Sequence, residues 1–65
     1  GNAPAILNAA NEVAVARFLN DEIAFAQLPD VVEYSLNKVG YQSKPDLKSL
    51  IASDKEARAF AQEFR

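Results

Sequence analysis

The hydrophobic pattern is strongest in the first third of the chain, where apolar residues surround a helix predicted over Ala3–Leu19. Pro4 suits the first turn, because the N–H that proline lacks would have no partner there. When the residues are placed at about 100° each, Ile6 and Val13 share one side and Phe18 lies on another. A helix that is apolar on all sides is usually buried. We therefore predict that this helix is central and that the rest of the chain packs around it.

A short connector and a second stretch with helical spacing follow. Residues 20–26 are predicted to form a loop in which Ile23 and Phe25 point inward. A second helix is predicted over Gln27–Val39. It ends at Gly40, because glycine readily adopts the left-handed conformation that often terminates a helix. The inner face of this helix is predicted from the spacing of three or four positions between Leu28, Val32, Ser35, Leu36 and Val39.

The last third of the chain contains two local signals for the start of a helix. Asp46 is a good N-cap for a short helix over Leu47–Ala52. Ser53 and Glu56 have the spacing of a capping box, which would begin a new helix that runs to about Phe64. The sequence leaves open whether this stretch is one bent helix or two, and the capping residues favour a break near Ser53.

Together these signals predict a single all-α domain over residues 1–65, a small bundle of three main helices plus a short fourth. Twelve residues are alanine, which buries little area, so we predict a thin core that needs oligomerisation or docking onto a larger body. Gly1 and Asn2 are predicted to be a frayed lead-in or a cloning remnant, with Asn2 as a candidate helix cap. The predicted core consists of Val13, Phe18, Leu19, Leu28, Val32, Leu36 and Phe60.

Charge and composition argue against two classes of partner. The formal net charge is −2, with 7 basic and 9 acidic residues, and no basic stripe exists that would neutralise phosphates. We therefore predict no nucleic-acid binding. No apolar run reaches the roughly 18 residues of a membrane span, and no signal peptide is evident, so no membrane association is predicted. Because the chain starts at Gly1 rather than Met, we expect it to be cut from something longer.

The chain has little with which to perform chemistry. It contains no histidine and no cysteine, which removes the commonest general base, the thiolate nucleophile and the best transition-metal ligands. The paired acids Asp21–Glu22 and Asp54/Glu56 lack the dense ligand spacing of a calcium loop and are better interpreted as turn and capping residues. We predict no catalytic residue, no cofactor-binding residue and no metal-binding residue in this chain.

Three polar residues interrupt the first helix: Asn8, Asn11 and Glu12. An asparagine in the middle of a helix costs about 0.6 kcal/mol relative to alanine, so such side chains need a reason to be there. One interpretation is a polar contact with a ligand, and the other is a network with a neighbouring loop or another domain. We favour the second and predict that Asn8 and Asn11 bond chiefly to the backbone of Asn20–Ala26.

A family resemblance accompanies this pattern. The run Pro-Ala-Ile-Leu-Asn-Ala-Ala-Asn-Glu-Val-Ala-Val over Pro4–Val15, followed by Phe18–Leu19 and Ile23–Phe25, resembles the C-terminal domain of 1-deoxy-D-xylulose 5-phosphate reductoisomerases. The stretch Asp54–Arg58 resembles the end of the same domain. The similarity spans most of the chain, and Leu-Asn-Ala-Ala-Asn-Glu is its most specific part.

The resemblance implies a role within a larger enzyme. That family makes 2-C-methyl-D-erythritol 4-phosphate in non-mevalonate isoprenoid biosynthesis, using NADPH and a divalent metal, Mg or Mn. Its catalytic and metal-binding residues belong to earlier domains, so none maps onto Gly1–Arg65, and the fragment alone is not expected to be active. The resemblance further implies a parent homodimer that is cytoplasmic in bacteria, or plastid in a plant or alga. The alternative is a free-standing helical protein-interaction module.

Overall fold

The computed structural model describes all of residues 1–65 and contains three α-helices. These are α1 (Ala3–Leu19), α2 (Leu28–Val39) and α3 (Leu47–Glu63). One turn of 3-10 helix, Phe25–Gln27, precedes α2 and includes the last two residues of the predicted connector and the first residue of the predicted second helix. The prediction of an all-α fold with three main helices is confirmed, as is Gly40 as the residue of positive φ (83°) after α2.

The predicted break at Ser53 is wrong, since α3 is one continuous helix. Asp46 begins it as predicted, because its side chain accepts a hydrogen bond of 2.7 Å from the Ser49 N–H. Ser53 does not cap a second helix. It lies buried in the middle of α3 and its hydroxyl accepts a hydrogen bond from Asn2. The short fourth helix is therefore the first two turns of α3, because tertiary packing overrides a local capping signal.

Because the Asp46 side chain caps α3 as a carboxylate, the stability of the folded chain should depend on pH in the acidic range. The hydrogen bond from the Ser49 N–H holds the pKa of Asp46 below its ordinary value. Since the unfolded value is about 3.9, Asp46 stabilises the folded chain above about pH 4, and this contribution is lost as the pH falls through the folded pKa. Asp46→Asn keeps an oxygen at the cap, so we expect its melting temperature to change less between about pH 5 and pH 2. Identical pH profiles in circular-dichroism melts would contradict this.

The contacts between helices fix their relative directions. Near the start of α1, Asn2 bonds to Ser53, and near its end Arg17 bonds to Ala61. Residue numbers thus rise together along α1 and α3, so these two helices run parallel. Helix α2 runs the opposite way, because its end packs beside Ile6 and its beginning beside Val13. The resulting bundle is elongated, measuring 36 × 16 × 15 Å.

The core is thin, as predicted, because alanine forms much of it. Ala9, Ala10 and Ala14 of α1 and Ala57 and Ala61 of α3 are all fully buried. Such small side chains allow the two parallel helices to approach closely, and we call these five residues the alanine seam. The remaining buried apolar residues are Ile6, Val13, Ile23 and Val31.

The predicted core is right in part. Val13 is buried, and five others are half-buried: Phe18, Leu28, Val32, Leu36 and Phe60. Of these, Phe18, Leu28 and Val32 pack against the cluster that contains Val13. Leu19, however, is 71% exposed, so its assignment to the core is wrong. In the connector, Ile23 is buried as predicted, whereas Phe25 is 70% exposed and only rests edge-on against Phe18. The error at Leu19 arises because α1 is apolar on both faces, so its pattern does not reveal which face is inward.

Candidate functional site

The acidic side chains of the chain do not gather into a metal site. No group of three His, Cys, Asp or Glu side chains is close enough to hold a metal ion. Asp21 is a turn residue as predicted, with a φ of 60°, and its neighbour Glu22 pairs with Arg17. Asp54 and Glu56 do not cap a helix, since both lie within α3, where Asp54 pairs with Arg58. That the chain contributes no catalytic, cofactor or metal residue stays a prediction.

A buried hydrogen-bond cluster centred on Asn2 joins the start of α1 to α2 and α3. The Asn2 side chain is fully buried and donates to the Gly40 carbonyl at 2.9 Å and to the Ser53 hydroxyl at 3.3 Å. Its oxygen accepts from the Gln42 N–H at 2.7 Å. The Asn2 N–H in turn donates to the Gln42 carbonyl at 3.0 Å. We call this set the Asn2 clamp.

The Asn2 clamp overturns the prediction of a frayed lead-in. The Asn2 side chain forms no capping bond with α1, and its polar atoms serve contacts made 38 to 51 residues away. Gly1 belongs to the same packed region, because a Cβ there would lie 2.6 Å from a ring carbon of Tyr41 and 2.8 Å from the Gln42 carbonyl oxygen. Both residues are therefore part of the folded domain.

A second cluster centred on Arg17 closes the other end of the bundle. The Arg17 side chain is buried, and one guanidinium nitrogen donates to the carbonyls of Ala61 and Phe64, each at 2.7 Å. Its Nε donates to Glu22 at 3.1 Å. The last carbonyls of a helix have no intrahelical partner and lie at the negative end of its dipole, so a buried cation suits this position. We call this set the Arg17 clamp.

One side of α1 has no partner in the chain. Eight residues of α1 are exposed, and only one of them, Glu12, carries a charge. Leu7, Val15 and Leu19 are 44%, 38% and 71% exposed, so three large apolar side chains of this helix face away from the rest of the domain. We call this surface the outward face of α1, and it consists of Pro4, Leu7, Asn8, Asn11, Glu12, Val15, Ala16 and Leu19.

The predicted contacts of Asn8 and Asn11 are wrong. Both residues are exposed on the outward face, and neither bonds to the connector Asn20–Ala26. Asn8 donates instead to Glu12 at 3.1 Å, one turn further along the helix. The prediction that α1 is buried all round fails for the same reason, because α2 and α3 together cover only one side of it.

Charged side chains border this surface and line the other helices. Arg58 donates to Asp54 at 2.7 Å and to Glu12 at 3.2 Å, and these bonds raise the pKa of its guanidinium, with Asp54 contributing most. On α2 the Tyr34 hydroxyl donates to Glu63, and this bond raises the pKa of the phenol. Such exposed pairs contribute little to stability and are typical of surfaces that face water.

A shallow cleft lies beside the start of α1. It has a volume of about 380 Å³ and is lined by Ala5, Leu50, Ile51 and Asp54. Three of the four are apolar, and Asp54 is engaged with Arg58, so the cleft offers few groups that could orient a small ligand. None of the three helices combines the length and the apolar character that a membrane-spanning helix requires.

The family model for the DXP reductoisomerase C-terminal domain matches residues 1–60. The chain belongs to this family. Relatives named 1-deoxy-D-xylulose 5-phosphate reductoisomerase include those of Bacteroides fragilis, 48% identical over 98% of this chain, and Listeria welshimeri, 47% identical over 92%. The relative from Lachnospira eligens is 47% identical over 85%. No solved structure gave a significant match.

This DXP reductoisomerase domain spans only 14 to 16% of the length of those relatives. The family resemblance drawn from Leu-Asn-Ala-Ala-Asn-Glu is thereby confirmed. That run has two roles in the fold, since Ala9 and Ala10 enter the alanine seam while Asn8, Asn11 and Glu12 lie on the outward face. Sequence reasoning missed both clamps. The one available signal was Arg17, a lone cation on the same side of the helix as Ile6 and Val13.

Proposed function

We propose that this chain is the structural, non-catalytic C-terminal bundle of an NADPH-dependent reductoisomerase. The parent enzyme would convert 1-deoxy-D-xylulose 5-phosphate to 2-C-methyl-D-erythritol 4-phosphate in isoprenoid biosynthesis, and the bundle would pack against its other domains. The observation that carries this proposal is the match to the reductoisomerase domain family over residues 1–60, in a chain that spans about 16% of its relatives.

The inventory of side chains is consistent with a non-catalytic role. The residues present do not fit a divalent metal, since no three potential ligands converge. They do not fit NADPH either, because the two glycines, Gly1 and Gly40, are far apart in sequence and form no phosphate-binding loop. On the family resemblance we propose that NADPH and the metal, Mg or Mn, bind to the preceding domains of the parent enzyme, and that this enzyme is a cytoplasmic homodimer in bacteria.

The ligand test uses the 65-residue chain and the full-length enzyme side by side. We expect NADPH, Mg²⁺ and Mn²⁺ to leave the melting temperature of the chain unchanged. A ligand present at 100 times its dissociation constant stabilises a protein by about 2.7 kcal/mol, so a melting scan would detect binding. The full-length enzyme should show a shift with NADPH and should oxidise NADPH only when 1-deoxy-D-xylulose 5-phosphate is added. A clear shift for the chain alone would contradict the assignment of both sites elsewhere.

The alternative is a free-standing helical module that binds another protein through a helix face. The exposed outward face of α1 is the observation that favours it. The two proposals differ in whether the full-length polypeptide that contains this domain is itself a reductoisomerase. A full-length polypeptide that contains this domain but lacks substrate-dependent NADPH oxidation would exclude the enzyme and leave the interaction module.

A further inference from the structure

We propose that the outward face of α1 is the surface on which the preceding domains of the same reductoisomerase polypeptide pack. This inference rests on the proposed function and specifies which surface of the bundle carries it out. Three observations support it: the charge distribution over the three helices, the amides on the outward face, and the position at which the chain enters α1.

The outward face differs in charge from the exposed sides of the other two helices. On α2, three of the five exposed residues are charged, namely Asp30, Glu33 and Lys38. On α3, exposed Lys48, Lys55, Glu56 and Glu63 are spread along the helix. The outward face of α1 has Glu12 alone, and Arg58 already neutralises it. The centres of protein interfaces are depleted in charged residues in the same way, whereas faces that remain in water are not.

The amides of Asn8 and Asn11 suit a covered surface. Within the chain, Asn8 forms a hydrogen bond only through its NH₂ group, which donates to Glu12. The Asn11 side chain is exposed and forms no hydrogen bond with any other residue of the chain. An amide can both donate to and accept from the backbone of a partner, and it leaves no unpaired charge when it is buried. Flanked by Leu7, Val15 and Leu19, these two amides provide the polar contacts of an otherwise apolar interface.

The position of the chain entry favours the preceding polypeptide as the occupant. Because the domain is the C-terminal one of its family and spans about 16% of the relatives, most of the parent polypeptide precedes it. The Asn2 clamp fixes the backbone at the beginning of α1, where the outward face starts only two residues later, at Pro4. The preceding polypeptide is therefore joined covalently to the domain at the end where this face begins, which raises its effective concentration beside the face.

Thiol labelling tests this assignment, because the chain has no cysteine of its own. Leu19 on the outward face and Leu47 at the start of α3 are 71% and 73% exposed, so they form a matched pair. Leu19→Cys and Leu47→Cys are introduced separately into the full-length enzyme, and labelled peptides of the domain are quantified by mass spectrometry. If the outward face is covered, Cys at position 19 should react more than about tenfold more slowly than Cys at position 47, since labelling then requires local opening.

Each outcome decides the proposal. Equal labelling rates at the two positions, or slower labelling at position 47, would overturn the assignment to α1. Sedimentation of the 65-residue chain should give a monomer, and a dimer in which position 19 is protected would identify a second copy as the occupant instead. Substrate-dependent NADPH oxidation is measured on the same preparations. Its absence would refute the proposed function, whereas activity together with rapid labelling at position 19 would refute only the docking surface.

Discussion

Replacing Arg17 by methionine is expected to destabilise the chain by about 3 kcal/mol. The change leaves the carbonyls of Ala61 and Phe64 without their donor, and hydrogen bonds to a charged group contribute roughly 1.5–3 kcal/mol each. A single small core seldom supplies more than about 3–5 kcal/mol, so most of the stability of this domain should be lost. Thermal and urea unfolding followed by circular dichroism would measure the loss.

Arg58, which pairs with Asp54 and Glu12, provides the matched control. The Arg58 side chain is 40% exposed, against 7% for Arg17, and both of its pairs lie at the surface. Arg58→Met should therefore cost no more than about 1 kcal/mol. Arg17→Lys keeps the charge but has a single nitrogen on a flexible stem, so it should fall between the two. If Arg17→Met and Arg58→Met had equal effects, the Arg17 clamp would not hold the end of α3.

Replacing Asn2 by alanine is the other change with a large expected effect, again about 3 kcal/mol. It removes three hydrogen bonds of the Asn2 side chain, a buried one to the Ser53 hydroxyl and partly buried ones to the Gly40 carbonyl and the Gln42 N–H, and each contributes about 0.5–1.5 kcal/mol. For a domain of this size we expect the melting temperature to fall by roughly 10 °C or more.

Asn37 is the control for the Asn2 clamp, because it is an exposed asparagine within α2. Asn37→Ala should stabilise the chain slightly, by about 0.6 kcal/mol of helix propensity. Ser53→Ala removes only one partner of Asn2 and should have an intermediate effect. A chain with Asn2→Ala that melts like the unmodified protein would restore the interpretation of Gly1 and Asn2 as a frayed lead-in.

Local signals in the sequence were sufficient to predict α1, α2 and the beginning of α3. Pro4, Gly40 and Asp46 each act on the backbone within a few residues of themselves, so their effect can be predicted without the fold. The orientation of α1 could not be predicted, because Leu7 and Leu19 are as apolar as Ile6 and Val13 on the opposite face. Such a pattern is what a helix needs when both of its sides are to be covered.

The polar contacts were beyond prediction for a different reason. Asn2 finds its partners 38 to 51 residues away and Arg17 finds two of its partners 44 and 47 residues away, so no local pattern signals either clamp. At Ser53 a good local signal gave the wrong prediction. The Ser53 hydroxyl accepts a hydrogen bond from the distant Asn2 instead of capping a new helix, and α3 continues through this residue. The candidate docking surface could be identified only from the structure, which shows that Ala9 and Ala10 of the Leu-Asn-Ala-Ala-Asn-Glu motif are buried whereas Asn8 and Asn11 are exposed.

The parallel arrangement of α1 and α3 has a mechanical consequence. Gly1 lies at the Asn2 end of the bundle and Arg65 follows Phe64 at the Arg17 end. Opposite forces applied to these two residues would act along the 36 Å axis and would slide α1 past α3. The alanine seam and both clamps would then bear the load simultaneously, in shear, whereas helices pulled apart from one end would unzip contact by contact. Tension along this axis should therefore meet more resistance than tension across it.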